Sequence, residues 1–169
     1  SVTFDGQEIS SLSEDRLARF RRDRGGFVFQ QIHLLEGLSV QDNVLVVGLL
    51  GKDRRGAIGR ADALFERVGL DPDDRTKFPG QLSGGEAQRA AVVRALVNHP
   101  DVLFADEPTG ALNSEYGQMV LDLLTGLHLS GQAVVMVTHD LRSAMRGTRI
   151  LYLRDGAIQG ELAQPPYAG

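Results

Sequence analysis

Val102-Leu103-Phe104-Ala105 runs unbroken into the acids Asp106-Glu107, and Ala133-Val134-Val135-Met136-Val137 runs in the same way into Thr138-His139-Asp140. Each run is too short for a core helix and rich enough in β-branched and aromatic residues to be a strand. The segment between them has helical spacing and closes near Ser130-Gly131, so the pattern is strand, helix, strand. A chain that alternates in this way builds a parallel α/β sheet, and its polar residues collect at the carboxyl edge, where such sheets hold their ligands.

Phe27-Val28-Phe29 reads as a further buried strand. A helix is predicted from Ser13, followed by Glu14 and Asp15, carrying Leu17 and Phe20 inward until Gly25-Gly26 stops it. Residues 42–50 form a second helix ended by Gly51, and 56–68 a third, with Ala61, Leu64, Phe65 and Val68 on one face and Gly69 behind it. Another runs from Gly85 to about Asn98 and buries Ala90, Val93, Ala95 and Leu96 or Val97. The helix before Ser130 is capped by Ser114 and turns Met119, Val120, Leu123, Leu124 and Leu127 inside. Near the start, Ser1 to Ile9 alternates as a strand and turns at Asp5-Gly6; near the end, 149–153 and 157–160 pair across Arg154-Asp155-Gly156.

Composition excludes several classes. A length of 169 residues with 42% hydrophobic content suits one domain with a real core, and a net charge of −4 disfavours a partner that is nucleic acid. The basic run Arg19 to Arg24 is a solvated helix face. The absence of cysteine rules out disulfides and thiolate metal sites within this sequence. The longest apolar run, Val44 to Leu50, is far below the roughly 20 residues a spanning helix needs.

Four groups carry the chemistry. Asp106 and Glu107, adjacent at a strand end, can divide two tasks: one carboxylate holds Mg²⁺ while the other polarises a water. Taken alone, such a pair is as readily two solvated turn acids. His139 ends the next strand, where an imidazole could touch a phosphate or serve as a plain turn residue. Gln30, after the first strand, could ligate Mg²⁺, orient water or lie idle at the surface. The stretch Gln81-Leu82-Ser83-Gly84-Gly85-Glu86 opens a helix whose free N–H groups and dipole favour an anion.

In their order along the chain these groups resemble the nucleotide-binding subunit of an ATP-binding cassette (ABC) transporter. "FVFQQ" is similar to the Q-loop, "LSGGEAQR" to the signature, "VLFADEPT" to Walker B, "GALNS" to the D-loop and "VTHD" to the switch histidine. Within that superfamily, "GFVFQQIHLLEGLSVQDNV" and "ADEPTGALNS" look most like the lipoprotein-release and macrolide-export type. The resemblance implies ATP and Mg²⁺ as cofactors, a transmembrane permease and a homodimer or paired cassette as partners, and a location at the cytoplasmic face of the membrane. It implies that Asp106 and Gln30 bind the metal, Glu107 polarises the attacking water, and His139 steadies the γ-phosphate. Ser83, Gly84, Gly85 and Glu86 would serve the nucleotide of the other subunit, with Asn113 near the dimer interface. Residues of about 36–98 would form a helical signature subdomain, 1–35 and 99–160 the P-loop-NTPase-like core, and 161–169 a loose tail.

Two departures stand out. The phosphate cradle of the family, Gly-x-x-x-x-Gly-Lys-Ser/Thr, is absent from this sequence, since neither Lys52 nor Lys77 has that context. The expected strand and helix around it would lie upstream, and the chain alone would bind ATP poorly and hydrolyse it negligibly. Asn113 also stands where the family usually has aspartate. An alternative reading is a non-hydrolysing regulatory module that docks on a permease or a partner cassette.

Overall fold

The computed structural model describes residues 1–165. Part of the expected tail, from Pro166 to Gly169, lies outside them. The elements are β1 (Thr3–Phe4), β2 (Gln7–Glu8), α1 (Glu14–Arg24), β3 (Gly25–Phe29), α2 (Val40–Leu50), α3 (Ala57–Arg67), α4 (Pro72–Arg75) and α5 (Gly84–Leu96). They continue as β4 (Val102–Asp106), α6 (Ser114–Leu129), β5 (Ala133–Val137), α7 (Leu141–Ala144), β6 (Arg149–Arg154) and β7 (Ala157–Ala163). The central sheet is parallel in the order β3-β4-β5, and two antiparallel hairpins, β1-β2 and β6-β7, accompany it. The β1-β2 turn puts Asp5 and Gly6 at φ 50° and 76°, the left-handed pair of a tight hairpin turn.

Register sets the two faces of the sheet. Phe29, Asp106 and Val137 are level at the carboxyl edge, and Phe27, Phe104 and Val135 are level one step below on the same face. On that face Phe27 stacks on Phe104 with ring centroids 5.4 Å apart, while Val135 and Val137 remain exposed. The opposite face buries Val28, Leu103 and Ala105 against Val92 and Leu96 of α5 and Val120, Leu124 and Leu127 of α6. Among the described residues β5 is hydrogen-bonded to a neighbour on one side only.

A second cluster joins α2, α3 and α5 through Val40, Val44, Ala61, Phe65, Ala87, Ala90, Val93 and Val97. Helix α5 therefore contributes to both cores. Small residues along it let its neighbours approach from two directions, which a Leu-rich helix of the same length would prevent.

Several local expectations are corrected. Gly25 and Gly26 do not merely stop α1; they are the first two residues of β3. A side chain on Gly26 would meet the Ala95 carbonyl oxygen at 2.5 Å, so glycine is needed there for strand and helix to touch. The cap of α6 is Asn113, whose side chain accepts from the Tyr116 N–H, while Ser114 is the first helical residue. Met119 is 46% exposed instead of buried, and Ala95 is only partly buried. The last strand reaches Ala163, so residues 161–163 are paired, not loose.

Replacing Gly26 with Ala should destabilise the protein by about 1–3 kcal/mol, the usual cost of overpacking, because the obstacle is backbone. Gly126→Ala in α6, where nothing lies within 4 Å, should instead be neutral or stabilising by up to about 1 kcal/mol. Denaturant melts of the two variants check the contrast.

Candidate functional site

The carboxyl edge is assembled by the strand register. Gln30 follows Phe29 directly, and Phe29 is level with Asp106, so the amide leaves its strand one residue beyond the height of the carboxylate on the neighbouring strand. Both are exposed. Their oxygens are hard donors that suit Mg²⁺, which takes one or two protein ligands and fills its remaining positions with water and phosphate. Among the described residues no group of three or more His, Cys, Asp or Glu side chains could hold a metal without such help.

Glu107 is the most constrained residue of the edge. Its φ of 45° lies in the left-handed region, which costs a non-glycine residue about 1–3 kcal/mol. Its N–H donates to the Val137 carbonyl at 2.9 Å, which ties the turn after β4 to the end of β5. Its carboxylate accepts from the His139 N–H at 2.8 Å, from His139 Nδ1 at 2.7 Å, and from the Thr138 hydroxyl at 3.3 Å. An ionised carboxylate can only accept, so Nδ1 carries the proton and Nε2 is the ring atom left for another partner.

These bonds also decide the charge of Glu107. Partial burial works to raise its pKa, but the ring and backbone donors of His139, with the Thr138 hydroxyl, outweigh burial and hold the carboxyl below the usual glutamate value. A depressed value means that the stabilising contribution is complete above the ordinary glutamate pKa and is lost as pH falls through the lowered one. The group is therefore a carboxylate at neutral pH, as a water-polarising base must be.

At the start of α5 the Ser83 hydroxyl accepts from the Glu86 N–H at 3.3 Å, and the Glu86 carboxylate accepts from the Ser83 N–H at 2.8 Å. This capping box gives Ser83 and Glu86 a local job and leaves the N–H groups of Gly84 and Gly85 without an intrahelical acceptor. Gly84 is exposed and Gly85 buried. Asn113, the remaining expected residue, is exposed, and its side chain accepts from the Tyr116 N–H at 3.0 Å.

Several residues at the site receive no role from the sequence alone. Gln88, 1% exposed in mid-helix, donates to the Phe29 carbonyl at 3.3 Å, just before Gln30. Arg94 donates to the carbonyls of His33 at 2.5 Å and Ile32 at 2.9 Å, just after it. Burial lowers the pKa of Arg94. Asn43 holds the same loop from the other side, accepting from the Leu35 N–H at 2.7 Å and donating to Ser39 at 3.0 Å. Gln88 lies within the stretch similar to the signature, and a polar residue inside an apolar helix stripe is a second clue to it. The two lysines lie elsewhere, Lys52 paired with Asp23 at 3.1 Å and Lys77 with Asp74 at 2.6 Å.

Known proteins resemble this chain in sequence and in fold. The family pattern described as ABC transporter matches residues 1–110. The chain belongs to the ABC transporter family. It is 45% identical over 166 residues to the macrolide export ATP-binding/permease protein MacB of Shewanella sp. (strain ANA-3), covering 98% of this chain and 25% of that protein. It is 46% identical over 165 residues to MacB 1 of Aeromonas hydrophila subsp. hydrophila, covering 95% of this chain and 25% of that protein. The chain thus spans about a quarter of the length of the curated relatives it matches. Among solved structures it resembles the dimeric structure of MJ0796, a bacterial ABC transporter cassette, with a TM-score of 0.82 and 37% identity, covering 97% of this chain and 73% of that one. A post-hydrolysis state of the same cassette bound to ADP and Pi matches with a TM-score of 0.82 and 36% identity, over 97% of this chain and 73% of that one. Among the described residues no helix is long and apolar enough to cross a membrane.

Replacing His139 with Ala removes the ring donor but keeps the backbone one, so the Glu107 pKa should rise. A carboxyl-carbon NMR titration reads the shift. An unchanged value would mean that the ring contributes nothing to the charge of Glu107.

Proposed function

We propose that this chain is the ATP-binding and ATP-hydrolysing part of a transporter, that it powers a membrane permease of the export or lipoprotein-extracting kind, and that it works in pairs with Mg²⁺ at the cytoplasmic face of the membrane. The observation that carries the reading is the ionised Glu107 beside His139 at a sheet edge shared with Asp106 and Gln30. The macrolide export ATP-binding/permease relatives support the permease, and the dimeric cassette supports the pairing.

In this reading Asp106 and the Gln30 amide oxygen hold Mg²⁺, and the bound Mg²⁺–nucleotide supplies the phosphoryl group to be attacked. Glu107 orients a water and takes its proton. His139, with Nδ1 bound to Glu107, offers Nε2 to a terminal phosphate oxygen. Ser83, Gly84, Gly85 and Glu86 serve the nucleotide of the paired subunit with the free N–H groups of a helix start, and Asn113 lies near the contact between subunits. Neither Lys52, followed by Asp53, nor Lys77, followed by Phe78, is assigned to the phosphate in this reading, because neither stands in a Gly-x-x-x-x-Gly-Lys-Ser/Thr context.

A second reading is a non-hydrolysing regulatory module that docks on a permease or partner cassette. One experiment separates the two: ATP turnover by the full-length gene product and its Glu107→Gln variant. Loss of a general base should lower turnover about 100-fold or more while nucleotide binding persists. A wild-type protein with no turnover supports the regulatory module, and a variant as active as wild type refutes the assignment of Glu107.

A further inference from the structure

The second signature glycine has a neighbour within its own chain. A side chain built on Gly85 would lie 2.8 Å from Cδ1, 3.0 Å from Cγ and 3.2 Å from Cβ of Tyr116. Those are the root and near edge of the ring, which cannot swing away without moving the first turn of α6. That turn is itself pinned, because the Tyr116 N–H donates to the Asn113 side chain at 3.0 Å. A side chain on Gly84 would meet Leu112 Cδ2 at 3.1 Å. The start of α5 therefore rests in a saddle made by Leu112 and Tyr116. The same loop reaches the metal edge, since a side chain on Gly110 would lie 2.8 Å from Gln30 Nε2.

We propose that Tyr116 is a positioning residue for the signature: its ring fixes Gly85, and with it the direction of the Gly84 and Gly85 N–H groups, while Asn113 acts on the signature through Tyr116. This rests on the ATPase reading above. Glycine is required at 85 because the tyrosine ring occupies the space, not only because a phosphate must approach. Burial supports the assignment: Gly85 is buried against the ring, while Gly84, which touches Leu112 on one side, keeps an exposed surface. The contact surface is the ring, not the hydroxyl, so phenylalanine should serve equally well.

The test is a double-mutant cycle on ATP turnover by the full-length gene product. Gly85→Ala should lower kcat about tenfold or more, and adding Tyr116→Ala should recover about threefold or more of that loss by vacating the overlap. Tyr116→Phe should match wild type. Tyr116→Leu should lower kcat about threefold or more, with KM for ATP and melting temperature retained, a split that a purely structural residue would not give. A double variant no better than Gly85→Ala, or a Tyr116→Leu variant altered only in melting temperature, would overturn the proposal. Persistent turnover in Glu107→Gln would instead remove the ATPase reading. The Gly85–Tyr116 overlap would then still be read as recovery of melting temperature in the double variant over Gly85→Ala.

Discussion

Burial of α5 on two sides at once is the constraint on which the rest depends. Its Ala87, Ala90 and Val93 close the core with α2 and α3, and its Val92 and Leu96 close the core against the sheet. A helix so enclosed cannot shift without opening one core or the other, because interiors packed to crystal density do not deform gradually. Its polar side chains exploit that fixity. Gln88 and Arg94 reach out of the helix to the carbonyls on either side of Gln30, and just beyond its end Val97 accepts from Arg60 at 2.8 Å. The helix that begins at the signature is thus the same rigid body that holds the loop of Gln30.

The sheet edge shows how competing terms are settled. Burial disfavours a charged Glu107, and its left-handed backbone is a further cost. Three donors to the carboxylate and one bond from its N–H to Val137 offset both, and all four come from β5 or the turn after it. The strain is retained because β5 over-determines the position. Removal of the strand would release the turn, whereas removal of the ring alone leaves the His139 N–H and the Thr138 hydroxyl in place.

Much of this was legible in the sequence, and what was missed has a common cause. The apolar runs into Asp106-Glu107 and Thr138-His139 located the strands and their carboxyl edge, since strand ends and period are local properties. The Ser83–Glu86 capping box was equally readable, being confined to four residues. The cap of α6 was misplaced by one because Asn113 and Ser114 are both good cap residues, and only backbone geometry distinguishes them. Met119 fits the helical stripe but lies at its rim, and a periodic pattern does not report where the neighbour ends. Gly25-Gly26 resembled a helix stop because the Ala95 carbonyl that demands glycine is far away in sequence. The partners of Gln88, Arg94 and Tyr116 are likewise distant, and no local rule finds them.

Among the described residues strand β5 is bonded along one side only, with Val135 and Val137 exposed at 47% and 60%. A row of free amides beside apolar side chains, with no lysine in the strand to repel a neighbour, is a template for another extended chain.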